Sequence, residues 1–171
     1  MELSIFMELP LPLHLFIHFA LAVLAGYLVG RHFKRPLVGI IGGVCGGFLI
    51  DFDHVLEYFL VFGPHFNLFM FFNGRQFLTS DLVRLWFHAW EYLPLLLIAA
   101  WCLRRRIVVF VFILALALGG TVHLVSDCLI NHYPAKNYSL VYRAAHNFSN
   151  RELFSPEQYQ KFLDDRQAIG F

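Results

Sequence analysis

Four apolar stretches, separated by short polar segments, constrain the fold of this chain more than any other feature. They comprise residues 11–30, 37–54, 81–103 and 107–130. A helix needs about 20 apolar residues to cross the ~30 Å hydrocarbon core of a bilayer, and each stretch is close to that length. Only 15% of the 171 residues are charged, against about 25% in soluble domains. We therefore predict an all-α integral-membrane helical bundle with about four transmembrane helices.

Basic residues lie at one end of these stretches. Arg31, Lys34 and Arg35 follow the first stretch, and three arginines at 104–106 follow the third. Because short basic loops stay in the cytoplasm, we expect both termini and residues 55–81 to lie on the opposite side. Three basic residues on the opposite side make the charge difference between the two sides of the membrane smaller: Arg75, Lys136 and Arg143. The net charge of +1 does not predict a nucleic-acid partner.

Residues 55–81 are rich in phenylalanine but are interrupted by Pro64, Asn73 and Gly74. We interpret them as an interfacial loop, because aromatic side chains prefer the headgroup level of a membrane. A fifth span is the alternative, but it would carry His88 far from Asp51. We assign residues 1–131 to the membrane bundle and 132–171 to a polar tail at the membrane surface.

The tail contains a sequence that is typical of a helix start. Ser155 is suited to the N-cap, Pro156 to the first helical position, and Gln158 completes a capping box. Tyr159 and Phe162 then begin an apolar stripe. We therefore predict a short amphipathic helix that lies on the membrane or on the protein.

Small residues recur every four positions in two of the stretches and lead into polar side chains. Gly39, Gly43 and Gly47 precede Asp51 at this spacing, and a similar series in residues 115–119 precedes His123. Small residues on one helix face let a neighbouring helix approach closely. We expect these faces to pack together and to end in a shared polar site.

Seven side chains of the metal-ligating types are predicted to meet at one depth, and we call them the His/Asp cluster. Those in different stretches lie about 16 or 17 residues from the nearest basic loop, or roughly 24–26 Å of helix. Helical bundles build metal sites from inward-facing carboxylates and imidazoles in this way. We expect one or two divalent ions, with zinc favoured and manganese or iron as alternatives. The cluster comprises His14, His18, Asp51, His54, His88, His123 and Asp127.

Three charged residues near the cluster are candidates for catalysis. Asp53 would act as a general base or would orient a ligand imidazole, and Glu91 is an alternative base. Arg84 would bind a phosphate group, although contact with a lipid headgroup or with Asp81 remains open. Polar residues after Asp127 are expected to cover the site: Asn131, His132, Tyr138, Tyr142 and Arg143.

These motifs resemble those of bacterial membrane-bound metal-dependent hydrolases, the group that includes a LexA-regulated inner-membrane protein. The resemblance covers residues 11–131 and implies a relationship to zinc phospholipase C and P1-type nuclease. It rests on His14 or His18, Asp51-Phe52-Asp53-His54, His88, and Gly119 followed by His123-Leu124-Val125-Ser126-Asp127.

The chain departs from that family at two places. Many members have proline where this chain has Ile50. They often have His-Arg-Gly-x-Thr-His-Ser where this chain has Phe87-His88-Ala89-Trp90-Glu91. A metal ligand or an acid–base group of the family is therefore missing here, or Glu91 replaces it.

The favoured hypothesis is a metal-dependent hydrolase of the bacterial inner membrane with its site on the extracytoplasmic side. Its expected substrate is a phosphoester in a lipid or lipid-linked molecule, because the polar layer lies near one membrane surface. Two alternatives remain. Intramembrane histidines and carboxylates also mark ion or proton transporters, and a closed metal site would serve only to hold the bundle together.

Overall fold

The computed structural model describes residues 11–170, and these residues form ten α-helices and two 3-10 turns without a β-sheet. The all-α prediction is confirmed. The helices are α1 (Leu11–His32), α2 (Pro36–Gly47), α3 (Phe52–Phe62), α4 (Leu68–Phe72), α5 (Arg75–Thr79), α6 (Tyr92–Cys102), α7 (Ile107–Ile130), α8 (Leu140–Ala145), α9 (Asn150–Leu153) and α10 (Pro156–Ala168). The 3-10 turns are Leu49–Asp51 and Ala135–Tyr138.

Three segments are long and apolar enough to cross a membrane: Leu13–His32, Pro36–Phe62 and Ile107–Ile130. The second includes a 3-10 turn between α2 and α3. Helix α6 has 11 residues, which rise about 16 Å, or half the thickness of a bilayer core. The protein is thus a helical bundle of the membrane-spanning type, with a fourth helix that is shorter than predicted.

Glycine residues set the distances between α1, α2 and α7, as the spacing of four predicts. A Cβ atom on Gly39 would lie 2.2 Å from the carbonyl oxygen of Gly26 on α1. A Cβ atom on Gly119 of α7 would lie 2.4 Å from the carbonyl oxygen of Gly43. No larger residue fits at these positions unless the backbones move apart. The three long helices therefore pack through direct backbone contact.

The predicted third span is wrong in its first half, because residues 80–91 do not form a helix. Some of their backbone N–H groups bind within the segment in turns, and others bind distant parts of the chain instead of the carbonyl four residues back. Val83 donates to the carbonyl of Phe148, and Trp90 donates to the carbonyl of Tyr138. These backbone hydrogen bonds attach the segment to the tail. We call residues 80–91 the His88 segment.

Residues 55–81 also differ from the prediction in part. Residues 55–62 continue the second long segment as α3, which ends at Gly63 with φ +72°. The rest contains only the five-residue helices α4 and α5. Within the described chain, no helix in residues 63–81 is long enough to cross a membrane.

The tail folds back over the end of the bundle that carries the His/Asp cluster. Its α10 begins with the predicted capping box: Ser155 Oγ accepts from the N–H of Gln158, whose side chain accepts from the N–H of Ser155. Phe162 of α10 is buried, and α10 packs against α5. The tail is therefore part of the packed structure and covers the His88 segment.

Candidate metal centre

All seven residues of the His/Asp cluster meet in one buried region. His14 and His18 come from α1, while His123 and Asp127 come from α7. His88 arrives from its irregular segment and is 1% exposed. Asp51 and His54 lie at the junction of α2 and α3, and their side chains are 20% and 30% exposed. Four parts of the described chain thus contribute to a single site.

Asp127 lies at the centre of the cluster, and its two oxygens face different imidazoles. Oδ1 lies 3.2 Å from Nε2 of His18 and 3.6 Å from Nε2 of His14. The two Nε2 atoms are 2.8 Å apart. These three side chains form one half of the cluster.

The other half of the cluster is built around the second oxygen of Asp127. Oδ2 lies 3.3 Å from Nε2 of His123 and 3.5 Å from Nε2 of His88. Asp51 Oδ1 approaches the same two nitrogens at 3.5 Å and 3.3 Å, respectively. Asp51 Oδ1 also lies 3.4 Å from Nε2 of His54. This half offers four donor atoms, with His54 at its edge.

These separations fit a bound metal ion. A tetrahedral zinc ion with bonds of ~2.0–2.1 Å holds its donor atoms about 3.3–3.4 Å apart, and the cluster's separations range around this value. Asp51 Oδ2 is buried without a hydrogen-bond partner among the described residues. A buried carboxylate oxygen left in this way is costly unless a cation or a donor meets it. The cluster could therefore hold a metal ion.

Hydrogen bonds behind the cluster fix the orientation of two imidazoles. Asp53 is 1% exposed, and its Oδ2 accepts from His88 Nδ1 at 2.9 Å and from the N–H of Phe87 at 3.0 Å. The carbonyl of Gly47 accepts from His123 Nδ1 at 3.0 Å. Because each Nδ1 carries its proton toward an acceptor, each Nε2 faces the cluster as a potential ligand. Asp53 thus occupies the orienting position behind a candidate ligand.

Glu91 does not belong to the cluster in the structure. Its carboxylate accepts from the hydroxyl of Ser139 and from the N–H groups of Leu140 and Val141 at the start of α8. Burial opposes ionisation, but the hydrogen bonds from Ser139 and these N–H groups lower the pKa of Glu91 to about 2. Such a weak base holds α8 and does not suit proton abstraction. The sequence placed Glu91 one turn from His88 on a helix that does not form there.

Arg84, which was predicted to bind a phosphate group, is bound to another residue of the chain. Its guanidinium makes three hydrogen bonds of 2.9 to 3.2 Å to the carboxylate of Glu57, a partner that the sequence analysis missed. The spacing of Glu57 four residues after Asp53 on a helix was the available signal. Arg84 is therefore already paired, and Asp81 is not its partner.

One cavity adjoins the cluster, and a larger groove is lined by chain neighbours of cluster residues. The first, of about 130 Å³, lies under the tail and is lined by His54, His88 and Asp127 on one side and by tail residues, including Tyr138 and Arg143, on the other. The second, of about 590 Å³, is an apolar groove between α2, α6 and α7. It is lined by Ile50, Phe87 and Leu124 among others, which are chain neighbours of cluster residues.

Comparisons with protein-family models, with curated proteins and with solved structures found no match.

Proposed function

We propose that this chain is an integral-membrane metal-dependent hydrolase whose His/Asp cluster binds one or two zinc ions. Its substrate would be a phosphoester in a lipid or lipid-linked molecule. This proposal extends the resemblance to membrane-bound hydrolases with independent arguments from the geometry of the site.

One observation carries the proposal: Nε2 of His88 and Nε2 of His123 face each other at 3.0 Å. In the neutral rings, each Nδ1 proton is committed to an acceptor, so both Nε2 atoms present lone pairs. Two carboxylates, Asp51 and Asp127, approach the same point within 3.5 Å. A divalent cation between these four electron-rich atoms would relieve their mutual repulsion. Imidazole and carboxylate donors suit zinc, and a carboxylate-richer set would favour manganese or iron.

Asp127 belongs to two groups of side chains that could each hold an ion. One ion would be held by His14, His18 and Asp127, and another by His88, His123 and Asp127. A divalent ion in such a site supplies Lewis-acid activation of water and of a phosphoryl oxygen.

The chain's own residues would bind and position the reactants. Asp53 holds the imidazole of His88, and the carbonyl of Gly47 holds that of His123. The tail forms one side of the 130 Å³ cavity. The apolar groove beside Ile50 and Leu124 can hold a hydrocarbon chain while a phosphoester reaches the cluster. A lipid substrate is favoured over a soluble nucleotide for this reason.

A proton or ion transporter is less well supported. Transport needs ionisable groups distributed across the membrane. Residues 19–30, 36–50 and 107–122 contain no Asp, Glu, His, Lys or Arg. No such side chain thus lies between the basic ends of the three long segments and the cluster, and a pathway of ionisable groups across the membrane is absent from these described segments. The cluster would face the extracytoplasmic side, because the basic loops lie at the other end of the helices.

Metal analysis of the detergent-purified protein tests the proposal. The wild type should contain one or two zinc ions per chain, and His123→Ala should lose at least one of them. His65→Ala is a matched control, because His65 is exposed outside the cluster. The wild type should hydrolyse a phospholipid or phosphodiester probe, and His123→Ala should not. A metal-free wild type would exclude both the hydrolase and the structural zinc site, whereas a metal-loaded but inactive protein would favour the structural site.

A further inference from the structure

Arg143 is a buried cation without an anionic partner. Its side chain is 1% exposed and is among the largest fully buried side chains of the described residues. Nη2 donates to the carbonyl of His88 at 2.7 Å, but Nε has no hydrogen-bond partner in the described part of the chain. No carboxylate of residues 11–170 forms a salt bridge with it. Burying an unpaired charge is costly, so this arrangement is unexpected in a residue that serves packing alone.

The surrounding charges stabilise Arg143 only from a distance. The carboxylates whose charges act on Arg143 are those of Asp53 and Glu91. Oδ2 of Asp53 accepts from His88, and Glu91 accepts from Ser139. Oδ1 of Asp53 is buried without a hydrogen-bond partner among the described residues, but it forms no salt bridge with Arg143. Arginine remains charged under these conditions. Its charge is therefore available to a further anion.

The cavity beside Arg143 offers a place for that anion. The cavity has a volume of about 130 Å³ and also contacts His88 and Asp127 of the cluster. Asn131 Nδ2 is 3.5 Å from Asp127 Oδ1. The cavity thus joins the guanidinium of Arg143 to the edge of the candidate metal centre.

We propose that Arg143 binds the phosphate group of the substrate in this cavity, next to the metal ions. Guanidinium groups bind phosphate oxygens through two parallel hydrogen bonds and retain their charge when buried. Arg84 is unsuited to this role because Glu57 already occupies its guanidinium. The proposal rests on the proposed function, since it assigns the substrate's phosphate to a named residue.

Binding of inorganic phosphate tests this assignment without measuring hydrolysis. Isothermal titration of zinc-loaded protein in detergent should show phosphate binding to the wild type. Loss of a charged hydrogen-bond donor should weaken binding by about 10- to 100-fold in Arg143→Met. Arg143→Lys retains the charge without the paired donors and should fall between the two. Arg151→Met is the control, because Arg151 is exposed on α9, and it should bind phosphate like the wild type.

Zinc content, measured on the same samples, separates phosphate binding from a purely structural role. The proposal requires Arg143→Met or Arg143→Lys to retain zinc while phosphate affinity falls. If both variants lose zinc and phosphate together, Arg143 only holds the His88 segment and the assignment is wrong. Unchanged phosphate affinity in a zinc-loaded Arg143 variant would also refute it, as would a wild type that does not bind phosphate. Phosphate binding that depends on Arg143 in a protein without hydrolase activity would support this assignment and contradict only the proposed function.

Competition distinguishes a lipid phosphate from a soluble one. Dihexanoyl phosphatidic acid and glycerol 3-phosphate carry the same phosphate monoester, but only the first has acyl chains for the apolar groove. If the substrate is a lipid, phosphatidic acid should displace phosphate at a lower concentration than glycerol 3-phosphate. Equal displacement would assign the cavity to a soluble phosphate ester.

Discussion

Replacing Asp53 by asparagine tests whether a carboxylate behind the cluster tunes the metal centre. Asp53 is buried, and its Oδ2 accepts two hydrogen bonds, from His88 Nδ1 and from the N–H of Phe87. An asparagine oxygen can still accept, but without the negative charge. Hydrogen bonds to charged groups contribute about 1.5–3 kcal/mol and neutral ones about 0.5–1.5 kcal/mol. Replacing the charged acceptor by a neutral one should thus weaken the hydrogen bond to His88 by about 1–2 kcal/mol.

That loss should appear in the affinity for metal, because the carboxylate makes the imidazole of His88 a stronger ligand. A loss of 1–2 kcal/mol corresponds to about 5- to 30-fold weaker zinc binding. A chelator-competition titration measures this affinity. Asp127→Asn shows the effect of removing a candidate ligand itself, and it should abolish zinc binding at one or both sites. Asp164→Asn is the control, since Asp164 is exposed on α10.

Two results would refute this reasoning. Zinc affinity in Asp53→Asn that equals the wild type would mean that the carboxylate does not tune His88. A loss as complete as that in Asp127→Asn would mean that Asp53 is itself a ligand.

Two further predictions concern stability, and both are checked by unfolding in detergent. A Cβ atom on Gly46 would lie 2.0 Å from a backbone carbonyl oxygen of α7, so Gly46→Ala should destabilise the bundle by roughly 1–3 kcal/mol or more. Gly120→Ala, where the nearest atom is 3.2 Å away, should have a much smaller effect, and equal effects would contradict direct backbone packing. The pKa of Glu91 is lowered from the usual 4.5 to about 2, so its ionised form stabilises the protein above pH 4.5 and loses this effect as the pH falls toward 2. The stability difference between the wild type and Glu91→Gln should therefore shrink between pH 5 and 2.5, and a constant difference would show that the charge is not responsible.

The depth of the cluster was predictable because three apolar segments each have one end at a basic loop on the same side. Counting residues at 1.5 Å each places His14, Asp51 and His123 in one layer, and the structure brings them together. The spacing of small residues also predicted which helix faces pack. Both arguments depend only on regular helix geometry, which hydropathy and spacing report well.

The His88 segment could not be predicted in the same way. Its apolar residues suggested a helix, but hydropathy does not reveal where backbone N–H groups find their acceptors. Here the acceptors are distant in sequence: Asp53 for Phe87, Tyr138 for Trp90 and Phe148 for Val83. The same tail contacts gave Glu91 a role at α8 that no local pattern indicated. The tail thus determines this part of the site, and its contribution is visible only in the folded chain.

Packing and ligand geometry are directly linked at Gly47. A Cβ atom there would lie 2.8 Å from the carbonyl oxygen of Gly119 on α7, and the carbonyl of Gly47 accepts the hydrogen bond of His123 Nδ1. The residue that allows α2 and α7 to touch therefore also orients a candidate ligand one turn beyond the contact. A shift of α7 away from α2 would alter the distance between His123 and Asp51, because these side chains come from opposite sides of that interface. The small-residue faces are thus a condition for the geometry of the His/Asp cluster as well as for the stability of the bundle.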